Sequence, residues 1–173
     1  MKKYSDIVSI IEQILKDQSF YNIFLTQRKF KGVAFETTKN KKTIKVSYAK
    51  YTSMALQKAY SLDRQLRHFP NNTYILLKHS NSIEWCVCFW ALLIAGYNPV
   101  LVDNRFSVEE VEYAIKQTNA MAILTQDNKK YSVPTLKCDI VSGEEYAIKR
   151  ENMGARIAFC TSGLISIYLF IFI

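Results

Sequence analysis

The chain has 173 residues, of which 49% are apolar and 22% are charged, and its formal net charge is +8 at pH 7. This composition excludes a disordered or low-complexity protein and fits one globular domain with a core of its own. Its 4 cysteines form no C-x-x-C pair and its histidines number only 2, which argues against a metal site and a disulfide framework. We therefore expect no metal ligands, and reduced thiols in a cytoplasmic protein.

The N-terminal segment MKKYSDIVSIIEQILKDQ predicts an amphipathic helix rather than a signal peptide, because its apolar residues recur at helical spacing with charged residues between them. The next pattern, GVAFETTKNKKTIKVSY, predicts two strands joined by a polar turn. Val33 and Phe35 are expected on one side of this hairpin. The residues expected on the other side are Ile44, Val46 and Tyr48.

Positive charge is concentrated around this hairpin. Between Arg28 and Lys50, eight lysines and arginines meet only one acid, Glu36. Such a cluster could hold nucleic acid or an anionic membrane surface. No nucleic-acid motif accompanies the charge, so a solvated, lysine-rich hairpin is favoured, and neither nucleic acid nor a membrane is an expected partner.

Helices and strands alternate through the middle of the chain. Serine caps predict three helices: one from Ser47 to about Arg67, an apolar one from Ser82 to Gly96, and one opened by the capping box Ser107–Glu110. Three short apolar strands are predicted at Thr73–Lys78, Asn98–Asp103 and Ala120–Thr125. This order, with short connections, predicts an α/β fold: a parallel β-α-β-α-β core preceded by a helix and a hairpin. The pattern weakens after Gln126.

Common catalytic motifs are missing from the sequence. It has 5 glycines and contains no dinucleotide fingerprint, no Walker A loop, no G-x-S-x-G elbow and no H-E-x-x-H. The adjacent acids Glu109–Glu110 and Glu144–Glu145 point in different directions on a helix, which favours capping and solvation over acid–base catalysis. No catalytic residue is predicted from the residues alone.

Three stretches, in order, resemble the first core motifs of the AMP-forming acyl-CoA synthetase and adenylation-domain superfamily. VSYAKY at the start of a helix resembles the first, although Lys50 stands where the family has a glutamate. HSNSIEW followed by LIAGYNPVLVDNRFSVEEVEYAI is similar to the second, and IAFCTSG resembles the strand and first half of the family's phosphate-binding loop. The resemblance implies the incomplete N-terminal subdomain of an adenylate-forming ligase.

The family's function follows from the resemblance as an expectation. An intact member uses ATP and magnesium to activate a carboxylic acid as an acyl-adenylate, and a thiol of coenzyme A or of a carrier protein then takes the acyl group. In this chain the phosphate-binding residues would be Thr161, Ser162 and Gly163, whose hydroxyls and backbone N–H groups suit phosphate oxygens. The loop then lacks its second glycine and its lysine. This chain is therefore expected to bind no cofactor by itself and to be inactive alone.

The C-terminal residues leave two interpretations open. In the first, residues 1–163 are a truncated part of the ligase domain and residues 164–173 are an apolar tail foreign to the family. In the second, the uncharged run Ile157–Ile173 is a tail anchor following Lys149, Arg150 and Arg156. The alternative function is thus a non-enzymatic binding module, either tail-anchored or using its basic surface.

Overall fold

A computed structural model describes residues 20–39 and 41–148, the backbone of 158–160, and the isolated helical positions 8, 9 and 12. The predicted N-terminal amphipathic helix thus lies mostly outside the described residues. The described elements are, in chain order, α1 (Phe20–Lys29), β1 (Val33–Lys39), β2 (Lys42–Ser47), α2 (Tyr48–Leu66), β3 (Tyr74–Lys78), α3 (Ile83–Ile94), β4 (Asn98–Val102), α4 (Val108–Thr118), β5 (Ala122–Thr125), β6 (Thr135–Lys137) and β7 (Ala158–Cys160).

Five strands form one sheet in the spatial order β6-β5-β3-β4-β7, and every pair in it is parallel. The three predicted core strands are β3, β4 and β5, each slightly shorter than expected. The predicted parallel α/β core is therefore confirmed. Strand β6 was not predicted, because Pro134 and the surrounding polar residues hide a short edge strand in the sequence.

Helices cover both faces of this sheet. Alternation along β3 sends Ile75 and Leu77 to one face and Leu76 to the other. The first face packs against α2 and α3, and the second against α4. Strands β3, β4 and β5 are therefore buried on both sides, which explains why they are continuous apolar runs in the sequence.

Helix α3 lies at the centre of the larger core. Residues 90–94 at its end are buried, as its apolar composition predicts, and Trp90 contacts Phe24 of α1 with ring centroids 5.3 Å apart. The helix ends before Gly96, which has φ +88. That left-handed conformation suits glycine and lets the Tyr97 N–H reach the Leu92 carbonyl at 2.9 Å. None of the helices formed by the described residues has the length and apolar character needed to cross a membrane.

The three serine caps form as predicted. The hydroxyls of Ser47, Ser82 and Ser107 each accept a hydrogen bond from the backbone N–H three residues on. Only Ser107 completes a capping box, because the Glu110 carboxylate accepts from the Ser107 N–H at 2.8 Å. At α2 the corresponding residue is Lys50, which has no acceptor to offer, so that cap is one-sided.

The predicted hairpin is present, but the directions of its side chains differ from the prediction in three details. Phe35 pairs directly with Val46, and Thr37 with Ile44, so Phe35, Ile44 and Val46 share one face instead of lying on two. A bulge between Val33 and Phe35 places these residues on opposite faces of the β1–β2 ribbon, so Val33 is exposed while Phe35 packs on Tyr51. Strand β2 ends at Ser47, and Tyr48 is the first residue of α2 rather than a strand residue. The cap at Ser47 switches the chain to helix one residue earlier than the alternation suggests.

Candidate functional site

All five parallel strands end at the same edge of the sheet, and two neighbouring connections diverge there. The turn after β3 leads to α3 on one face, whereas the turn after β4 leads to α4 on the other. Such a divergence leaves a crevice beyond the carboxyl ends of the strands, which is where open α/β sheets bind ligands. We therefore take this carboxyl edge as the candidate site.

The predicted phosphate loop begins at this edge. Strand β7 pairs with β4 in a register that sets Cys160 opposite Val102. The next residues along the chain are Thr161 after β7 and Asp103 after β4. The residues predicted to contact phosphate, Thr161, Ser162 and Gly163, lie outside the described residues, and the structure places only the strand that leads into them.

Asp103 and Arg105 form a bidentate ion pair in the turn after β4. The Arg105 Nε and Nη2 atoms donate to the two Asp103 carboxylate oxygens at 3.0 and 2.7 Å, and the Arg105 backbone N–H donates to Oδ1 at 2.8 Å. The Arg105 side-chain and backbone hydrogen bonds lower the pKa of Asp103 to about 2, so its carboxylate is ionised at neutral pH. The Arg105 side chain is 88% exposed, and its remaining N–H donors face solvent.

A buried ion pair lies deeper in the same edge. Lys78, the last residue of β3, is 3% exposed and donates to Asp127 Oδ2 at 2.8 Å. Tyr131 donates to the same oxygen at 2.7 Å. Burial acts to raise the pKa of Asp127, but the hydrogen bonds from Lys78 and Tyr131 outweigh it and the pKa is lowered. This network ties β3 to the turn after β5.

His79 lies in the turn between β3 and α3 and is 7% exposed. Its Nδ1 lies 2.7 Å from the Ser80 carbonyl oxygen and 3.2 Å from Ser82 Oγ. A carbonyl can only accept, so Nδ1 carries the proton, and it cannot act as a base toward Ser82. Ser82 in turn is occupied as the cap of α3. This Ser–His contact is therefore structural and not a nucleophile–base pair.

The described residues also contain no group of three or more metal-ligating side chains. Neither Arg105 nor the Lys78–Asp127 pair was predicted from the sequence. A usable signal was present, since each of the apolar strands β3 and β4 ends directly in a charged residue. The partner of Lys78 could not be read from the sequence, because 49 positions separate it from Asp127.

Comparison with known proteins agrees with this geometry. The family model described as AMP-binding enzyme matches residues 26–156. No curated protein sequence matches the chain significantly.

Two solved structures show the same fold. o-Succinylbenzoate coenzyme A synthetase from Bacillus subtilis, in complex with ATP and magnesium ion, is similar over 74% of this chain at 15% identity and a TM-score of 0.62. The N-terminal subdomain of NpsA from Klebsiella oxytoca is similar over 75% of this chain at 14% identity and a TM-score of 0.59. The chain covers only 36% of the synthetase chain and 35% of the NpsA subdomain. Its fold is that of the N-terminal subdomain of adenylate-forming ligases, and the chain belongs to the family of AMP-binding enzymes.

Proposed function

We propose that this chain is the N-terminal part of an ATP-dependent ligase that activates a carboxylic acid, and that it is inactive alone. In the proposed reaction a carboxylate oxygen attacks the α-phosphorus of ATP, which forms an acyl-adenylate and releases pyrophosphate. A thiol, of coenzyme A or of a carrier protein, then takes the acyl group, and AMP leaves. Magnesium bound with ATP would offset the phosphate charge.

The observation that carries the proposal is the family match over residues 26–156 together with the position of β7. The residues that follow this strand in the sequence are Thr161, Ser162 and Gly163, which we propose as the phosphate-contacting residues. The hydroxyls and backbone N–H groups of such a loop suit phosphate oxygens. The residues after Gly163 supply neither a second glycine nor a lysine, so the predicted phosphate-binding loop is incomplete.

An exchange assay tests the proposal. The 173-residue chain should not exchange labelled pyrophosphate into ATP with any of a panel of carboxylates. The DNA downstream should contain a frame that continues with T-G-x-P-K-G, and the chain extended through that frame should exchange. Replacing Thr161 and Ser162 by alanine in the extended chain should lower the exchange rate. Exchange by the 173-residue chain itself, or the lack of any such frame, would contradict the proposal.

The tail-anchor alternative requires Ile157–Ile173 to form a membrane-spanning helix. Against it, the backbone of Ala158–Cys160 pairs with β4 as a strand.

We also propose that the ligase works in the cytosol, which is in keeping with the free thiols of Cys86, Cys88 and Cys138.

A further inference from the structure

The strongest charge concentration in the described part of the chain is what we call the basic ribbon. It comprises the end of α1, the β1–β2 hairpin and the start of α2, and its described basic side chains are all exposed: Arg28, Lys29, Lys31, Lys41, Lys42, Lys45 and Lys50. Glu36 is the single acid in this stretch, and it pairs with Lys45 at 3.2 Å. Within the described residues, no other ion pair neutralises the ribbon. The positive charge of the ribbon is therefore not balanced by acidic side chains and is available to an anionic partner.

The hairpin reaches away from the rest of the fold. It forms its own two-stranded sheet and joins the core only near its base, where Val46 is buried and Phe35 packs on Tyr51 at 4.8 Å between centroids. Farther out, Ile44 is 42% exposed. Alternation along β2 puts Ile44 on the same face as Val46 and Lys42. The aliphatic side chain of Ile44 is thus exposed between the core and the lysine-rich tip of the hairpin.

We propose that the basic ribbon is a docking surface for an anionic lipid bilayer, with the lysines at the headgroups and Ile44 entering the interface. Clusters of four to eight basic residues bind anionic membranes, each contributing about fivefold in affinity. An exposed aliphatic side chain beside them adds the apolar contact that interfacial binding needs. This inference does not depend on the proposed ligase function.

Lipid fits the ribbon better than nucleic acid does. Nearly all of its charges are lysines, which act as hydrated point charges, whereas phosphate and base recognition in nucleic acids favours the planar arginine fork. Single-stranded nucleic acid also needs free aromatic rings for base stacking. The rings nearest the hairpin are already engaged, since Phe35 packs on Tyr51 and Phe30 packs on Tyr48. The sequence alone favoured a solvated hairpin because no nucleic-acid motif accompanies the charge, and the exposure of Ile44 is seen only in the structure.

Vesicle flotation tests the proposal, because aggregated protein sinks and only bound protein rises. The full chain should float with phosphatidylcholine vesicles containing one-fifth phosphatidylserine and not with pure phosphatidylcholine. Binding should weaken steeply toward 1 M salt, where the screening length falls to about 3 Å. The double variant Lys41→Asn and Lys42→Gln should bind about 25-fold more weakly, at about fivefold for each charge. Asparagine is chosen because Lys41 has φ 61, which asparagine tolerates.

Matched control variants distinguish binding of lipid by the basic ribbon from nonspecific charge effects, binding through the apolar tail and binding of nucleic acid. Lys116→Gln with Lys130→Gln removes the same charge from exposed sites elsewhere and should leave binding unchanged. Ile44→Thr keeps the strand and should weaken binding less than the lysine variant does. Salt-insensitive binding to neutral vesicles would assign the contact to the apolar tail at 164–173 and overturn the proposal. Equal losses in both lysine variants, or tighter binding to a single-stranded polynucleotide than to the vesicles, would overturn it too.

Discussion

Replacing Asp127 by asparagine should test whether the Lys78–Asp127 pair supports the carboxyl edge of the sheet. The change keeps the size of the side chain and leaves Oδ1 free to accept from the Lys129 N–H at 3.2 Å. The second oxygen becomes an NH₂ group, which faces two donors, the Lys78 ammonium and the Tyr131 hydroxyl. A buried ammonium is then left without its counter-charge.

Removing one partner of a buried ion pair costs about 3–5 kcal/mol. The Asp127 side chain is 23% exposed, so water can partly solvate the ammonium, and we expect the lower end of that range. Lys78→Met should cost less, about 1–2 kcal/mol, because the carboxylate left behind keeps Tyr131, the Lys129 N–H and water as partners. The order of the two losses is thus a direct consequence of which partner is buried.

Urea unfolding followed by circular dichroism measures both losses as shifts of the midpoint at constant slope. Glu36→Gln is the matched control, because its pair with Lys45 is exposed on both sides and should contribute less than about 1 kcal/mol. The folded-state pKa of Asp127 is lowered from 3.8, so the pair's contribution is complete above about pH 4 and is lost as the pH falls through that lower value. The gap between wild type and Asp127→Asn should therefore narrow on acidification. The reasoning fails if Lys78→Met is the more damaging change or if Asp127→Asn matches the control.

Three further predictions concern the core, a cap and the tail. Leu92→Ala removes a fully buried side chain of α3 and should lower the free energy of unfolding by about 2–5 kcal/mol in the same urea assay; a loss below about 1 kcal/mol would mean that the helix is not packed as described. Ser107→Ala removes the reciprocal cap of α4 and should cost about 1 kcal/mol, whereas Ser107→Asp should retain most of the stability. Deleting Leu164–Ile173 removes an uncharged run of β-branched and aromatic residues and should raise the soluble fraction after centrifugation while the circular dichroism spectrum keeps its shape; an unchanged soluble fraction would count against an aggregation-prone tail.

The core of this fold could be predicted because the sequence signals that specify its helices and strands are local. Serine caps, the glycine stop at Gly96 and apolar runs bounded by polar turns act within a few residues, and all three core strands and their helices were found from them. Helix α1 was missed because only Phe24 and Thr26 of it are buried, so its apolar stripe is too narrow to show a clear period.

Contacts between distant parts of the chain could not be predicted in the same way. Lys58 lies on α2 at helical spacing from apolar residues, but lysine side chains are rarely buried, so its residue type suggests exposure. In the fold it is 2% exposed and donates to the Lys137 carbonyl at 2.7 Å and to Asp139 at 2.9 Å. Those acceptors belong to the last residue of β6 and to the segment that follows it, 79 and 81 positions away. The Lys78–Asp127 pair could not be predicted from the sequence for the same reason, and neither could the exposure of Ile44.

The strand order of the sheet has a consequence for how the chain folds during synthesis. Strands β3 and β4 leave the ribosome first and form the middle of the sheet, and β5 and β6 then extend it on one side. The opposite edge of β4 stays open until β7 emerges, so Val100 and Val102 must wait for Ala158 and Cys160. An open apolar edge is a template for pairing with another chain. Nascent chains on crowded polysomes are therefore most vulnerable to wrong partners in the interval between the synthesis of β4 and that of β7.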